Sequence, residues 1–188
     1  MILIGIAGQK YNGKDTIADY LVSTYGFIKI SFADKLKEMC KVLFNFTDEQ
    51  LYGSQKETID NYWNIAPRDV FQYFGTDIMR NDIKKILPSI ENDFWIKCTF
   101  KQIDNFIKEN NNCKIVIADV RFPNEVNAIK SYNGHIIRVI RPSIQNDDFH
   151  ESESQIPFLN VDYEIINDNN INELYKKIDN ILQLYIRH

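Results

Sequence analysis

At 188 residues the chain is long enough for one well-buried core and short for two. A hydrophobic share of 44%, a charged share of 26% and an aromatic share of 13% are ordinary globular values, which excludes a disordered or fibrous chain. The net charge of −4 argues against non-specific affinity for nucleic acid polymers or an anionic membrane, so any phosphate it binds is small and locally recognised.

The first apolar run, Ile2–Ala7, has no basic leader and breaks at Gly8. It reads as a buried strand, not as a signal peptide or membrane span. Residues 8–16, GQKYNGKDT, follow at once and match GxxxxGK in spacing and in strand–loop–helix context. Glycines at both ends of such a loop let backbone N–H groups turn inward around an anion, and the next helix adds its positive dipole end. Gly8, Asn12, Gly13 and Lys14 are therefore nucleotide-phosphate candidates. The position after the lysine, normally Ser or Thr for magnesium, is Asp15, with Thr16 one residue on. Three readings of Asp15 stand: it favours the helix N-terminus, it holds a neighbouring loop, or it holds hydrated magnesium while Thr16 takes the hydroxyl role.

An amphipathic helix over Lys14–Tyr25 carries Ile17, Ala18, Leu21, Val22 and Tyr25 on one side, and a second strand follows at 28–31. Residues 33–110 hold no convincing strand; helices over 35–44, 67–80 and 94–110 predict a helical insertion between the second and third strands. The helix at 67–80 sets Val70, Phe71, Phe74 and Ile78 on one face and Arg68, Gln72, Gly75 and Thr76 on the other, either a solvated stripe or a ligand face. A glycine inside a helix costs about 1 kcal/mol against alanine, and close approach of a ligand is one reason to keep it.

The third strand, 114–118, runs into Asp119 and Arg121, followed by a helix over Pro123–Ser131. In doubly wound sheets ligands gather at the carboxyl ends of strands. There Asp119 would orient magnesium through water and Arg121 would clamp phosphate, unless the two simply pair with each other. The fourth strand, His135–Ile140, carries Arg138 and hands over to Arg141, which can clamp phosphate or stack on a base. A polar stretch at 142–157 reads as a mobile loop on the ligand side, and its HESES segment from His150 lacks the spacing of a metal motif. A fifth strand at Tyr163–Ile166 and a helix over 170–186 complete a βαβ alternation in one domain spanning 1–188. Cys40, Cys98 and Cys113 form no CxxC pair, which fits a reduced cytoplasm.

Taken in order, NGKDT at 12–16, Arg68-xxx-Gln72-xx-Gly75-Thr76, Asp119-x-Arg121-xx-Asn124-Glu125 and His150-x-Ser152-Glu153 resemble the deoxynucleoside monophosphate kinases of bacteriophages and large DNA viruses. In that family an aspartate after the loop lysine is normal. The resemblance implies an α/β P-loop NTPase fold, a five-stranded parallel sheet flanked by helices, that moves the γ-phosphoryl group of ATP to a dNMP with Mg²⁺, commonly as a homodimer. It implies ATP on Gly8, Asn12, Gly13, Lys14, Asp15, Thr16 and Arg141, and the acceptor on Arg68, Gln72, Gly75, Thr76, Arg80 and Glu125. Magnesium would be served by Asp15, Thr16 and Asp119, and transfer by Lys14, Arg68, Asp119 and Arg121, while Glu125 holds an arginine or the acceptor sugar. Two other readings stay open: a P-loop kinase for another small phosphorylated acceptor such as phosphomevalonate, and a nucleotide-binding module without catalysis.

Overall fold

The computed structural model describes residues 1–144 and 154–186. Its backbone divides into two compact units, one of Met1–Ser31 with Gln102–His188 and one of Phe32–Lys101.

In the first unit the apolar runs become β1 (Ile2–Ala7), β2 (Ile28–Ile30), β3 (Lys114–Val120), β4 (His135–Ile140) and β5 (Tyr163–Ile166). All pair in parallel, in the order β2-β3-β1-β4-β5. β1 and β3 are almost wholly apolar because helices cover both faces. On one face Ile4, Ile6, Val116 and Val139 pack against Ile17 and Leu21 of α1 (Lys14–Tyr25) and against Leu174 and Ile178 of the C-terminal helix, Ile171–Ile186. On the other, a Cβ at Gly5 would meet Ile129, Ile136 and Val120 at 2.7–2.9 Å, so only glycine lets the helix at Pro123–Ser131 lie this close to the sheet.

The third strand is two residues longer than its apolar run. Gly5 pairs with Ile117 and Ala7 with Val120, so three steps along β3 oppose two along β1. This bulge sets Val120 on the same face as Ile117, against Gly5, where strict alternation would have reversed it. Asp119 consequently lies within the strand, not beyond its end.

The second unit holds the expected helices. α2 (Asp34–Phe44), α3 (Asp48–Tyr52) and α4 (Pro67–Gln72) precede the start of α5 (Phe94–Glu109), whose second half belongs to the first unit. A core of Leu36, Cys40, Phe46, Leu51, Val70 and Trp95 holds it together. The helix expected at 67–80 is corrected in kind: from Tyr73 to Asp82 it winds as a π-helix. Its i→i+5 bonds remove the 3.6-residue register on which the Arg68–Gln72–Gly75–Thr76 stripe depends. After α6 (Pro123–Ser131) the chain closes with α7 (Ile171–Ile186). Residues 145–153, with His150, Ser152 and Glu153, lie outside the described part of the expected 142–157 loop, whose far end forms a 3₁₀ turn at Ile156–Phe158. Among the described residues no helix is long and apolar enough to cross a membrane.

His135 opens β4 beside the Tyr163 ring, with Asp162 and Lys130 nearby. Burial presses its pKa from 6.5 down to about 4 against the pull of Asp162, and Lys130 adds to the fall. The unfolded chain therefore binds the extra proton between those two values; stability is full above the window and declines as pH drops through it. Urea melts between pH 7.5 and 4.5 should show that decline, and His135→Gln should flatten it.

Candidate active site

The loop between β1 and α1 is shaped by what it must pass. At Gly8 a Cβ would sit 2.7 Å from the Val139 carbonyl oxygen, a backbone atom that cannot step aside. Gly13 adopts φ 103°, in the left-handed region, and a Cβ there would lie 2.7 Å from Asn167 Nδ2. Asn12 is buried, and its Nδ2 donates to Val139 O at 3.1 Å. From the other side Asn167 Nδ2 donates to Asn12 O at 3.0 Å, while Asn167 N–H donates to Ile140 O at 2.7 Å. The ends of β4 and β5 thus fix the loop from outside. Lys14, buried with 9% exposure, reaches back so that Nζ donates to Gln9 O at 2.8 Å.

Because β3 lies beside β1 and runs parallel to it, Asp119 and Arg121 stand at the same edge of the sheet as this loop. Asp119 is partly exposed and accepts a short hydrogen bond from the Ser31 hydroxyl, just past β2. Arg121 and Phe122 donate their backbone N–H groups to Glu125 Oε2 at 2.8 and 3.1 Å. Glu125, 2% exposed, is therefore committed through one oxygen to closing the first turn of α6. Asp15 pairs at 3.0 Å with Lys29, a residue of strand β2 and not of a neighbouring loop, and Thr16 follows half-buried. Arg141 is exposed, and its side chain has no partner among the described residues. Arg138 is a tether: it pairs with Glu164 and donates to Pro157 O at 2.6 Å.

Arg68, Gln72, Gly75, Thr76 and Arg80 all belong to the second unit. Arg68 and Gln72 are half-buried on α4, whereas Thr76 and Arg80 are buried in the π-helical segment. The helical glycine has a packing reason: a Cβ at Gly75 would sit 2.8 Å from Leu36 Cδ2, and Gly75 O accepts from Trp95 Nε1 at 2.8 Å.

The donor set suits magnesium. Asp119, Ser31 and Thr16 offer only oxygen, and among the described residues no three His, Cys, Asp or Glu converge. A cation here would take few protein ligands and complete its shell with phosphate and water, which is magnesium's habit and not that of zinc or calcium.

Three residues escaped the sequence reading, Asn167, Lys29 and Ser31. Asn167 had a faint signal, a polar side chain directly after the last strand, at the edge where ligands gather.

Residues 41–178 match the family model described as deoxynucleotide monophosphate kinase. A protein of Acanthamoeba polyphaga mimivirus, provisionally named deoxynucleotide monophosphate kinase, is 40% identical over 95% of this chain and 94% of its own. The deoxynucleotide monophosphate kinase of Enterobacteria phage T4 is 24% identical over 98% of this chain and all of its own. Among solved structures, dephospho-CoA kinase from Campylobacter jejuni superposes with a TM-score of 0.54 over 96% of this chain and 95% of its own, at 17% identity, a likeness of fold.

Asn167→Asp turns the donor facing Asn12 O into an acceptor. It should cost about 1–3 kcal/mol of stability and weaken nucleotide binding severalfold, read by urea melts and calorimetric titration with ATP.

Proposed function

The chain belongs to the deoxynucleotide monophosphate kinase family, and from that premise we propose that it transfers the γ-phosphoryl group of ATP to a deoxynucleoside monophosphate, giving ADP and the diphosphate. One observation carries the reading to this chain's own residues: the anion-shaped loop at 8–13 and the Asp119–Arg121 pair share one edge of the sheet, on adjacent parallel strands. Of the readings the sequence leaves open, the family assignment favours this one over a phosphomevalonate-type acceptor or a module without catalysis.

In this reading the backbone N–H groups of the loop and the N-terminus of α1 receive the β- and γ-phosphates of ATP. Lys14 leaves Gln9 O and turns its ammonium to the outer phosphates as they arrive. Arg121, its backbone fixed by Glu125, steadies the transferring group, and Arg141 covers the nucleotide. Asp119 and Thr16 would hold Mg²⁺, partly through water, while Asp15 stays engaged by Lys29; the ion would neutralise charge on the phosphate oxygens. Arg68, Gln72, Thr76, Arg80 and Glu125 serve the acceptor.

The attacking group is an already ionised phosphate, so no strong general base is needed. The transition state is loose and in line, and the protein's work is to position the two phosphates and balance their charge. Its cationic side chains therefore carry the rate.

Incubation with ATP, Mg²⁺ and each dNMP or NMP in turn, with products separated by chromatography, should give ADP and a nucleoside diphosphate in equal amounts. Lys14→Ala and Arg121→Ala should each lower turnover roughly 10²–10⁵-fold. Near-normal turnover in Lys14→Ala would reject the assignment.

A further inference from the structure

Lys29 stands in the middle of the edge strand β2, and its ammonium answers two carboxylates of α1 at once. Nζ lies 3.0 Å from Asp15 Oδ1 and 2.9 Å from Asp19 Oδ1. A lysine is cationic at neutral pH, and both carboxylates lie within ion-pair distance of its ammonium. Asp15 and Asp19 are four residues apart and share one helix face, where like charges repel.

The position of this trio gives it a consequence for binding. Asp15 directly follows Lys14, in the first turn of the helix whose N-terminus would receive the nucleotide phosphates. With Lys29 removed, the negative charge of Asp15 and Asp19 would oppose a polyanion at the start of α1 more strongly, over the distance that salt leaves unscreened, about 10 Å at 0.1 M. The Asp15 and Asp19 side chains are 80% and 68% exposed, too open for the ion pairs to matter much to stability. Charge placement is what they control.

We propose that Lys29 is a positioning residue for nucleotide binding: it holds Asp15 against β2 and cancels the charge of Asp15 and Asp19, keeping the start of α1 attractive to the phosphates of ATP. The proposal rests on the reading of residues 8–16 as the ATP phosphate site.

Calorimetric titration of the full chain with MgATP tests it directly. Lys29→Met should weaken binding about three- to tenfold at low salt, and the gap should close as NaCl rises, because screening removes the repulsion. KM for ATP should rise in step, with kcat and the acceptor's KM within about twofold of wild type, and Lys29→Arg should restore both affinity and KM. In an Asp15→Asn background, Lys29→Met should cost clearly less than it does alone, the coupling a double-mutant cycle reads. Lys29→Gln supplies a second neutral variant, and thermal melts check that each is folded. Unchanged MgATP affinity in both neutral variants, or a loss that ignores salt and persists undiminished with Asp15→Asn, would overturn the proposal. If the wild type binds MgATP but phosphorylates no nucleotide, the kinase reading fails while the binding arms still decide the role of Lys29.

Discussion

The candidate site depends on how the loop between β1 and α1 is held open. A loop that wraps an anion must keep its N–H groups pointing inward with nothing inside to hold them, so the fixing has to come from outside. Here it comes from Asn12 Nδ2 on Val139 O, Asn167 Nδ2 on Asn12 O and Asn167 N–H on Ile140 O. The first two bonds tie the loop to the ends of β4 and β5 and the third ties those two ends to each other; they stand at that edge because the strand order is β2-β3-β1-β4-β5. A buried amide that loses such a partner costs the full desolvation of the group, which ties loop shape to fold stability.

Charge is arranged around that loop in pairs. Lys14 waits on Gln9 O, Asp119 accepts from Ser31, Asp15 shares Lys29 with Asp19, and Glu125 supports the backbone of Arg121 and Phe122. Each polar group is held by a neighbour. The bulge in β3 contributes in the same way: it sends Val120 to the buried face beside Gly5 and leaves Asp119 partly exposed at the edge. For phosphoryl transfer, where positioning and charge balance dominate, such prior arrangement is the main asset a protein can offer.

The sheet was legible because β1 and most of β3 are continuous apolar runs and the shorter strands are apolar-rich stretches set off by polar breaks, and the loop was legible because spacing, lysine and helix agreed. What the sequence hid lies in contacts between distant segments. The bulge arises from pairing β3 with β1 and has no signature in Ile115–Val120 alone. The π-helix after Gln72 is a change of winding in a segment that reads as an ordinary amphipathic helix, so the expected polar stripe dissolves and Thr76 and Arg80 become buried. Gly75 invited a ligand explanation and received a packing one, through Leu36 and Trp95. The short helix α3 was within reach, since Thr47 and Gln50 form a reciprocal capping box that spacing alone can suggest. Asn167 and Lys29 act across 155 and 14 residues of chain, and of the two only Asn167 carries a local hint, its place directly after the last strand.

The central claim is that the edge shared by β1, β3 and β4 builds the phosphate site. A crystal structure with a bisubstrate analogue, adenosine joined to a deoxynucleoside through a chain of phosphates, tests it most directly. The account predicts phosphates seated within residues 8–16 on backbone N–H groups, Lys14 released from Gln9 O onto them, and Asp119 facing the same phosphates through a hydrated cation. Phosphates bound elsewhere, with Lys14 still on Gln9 O, would contradict it.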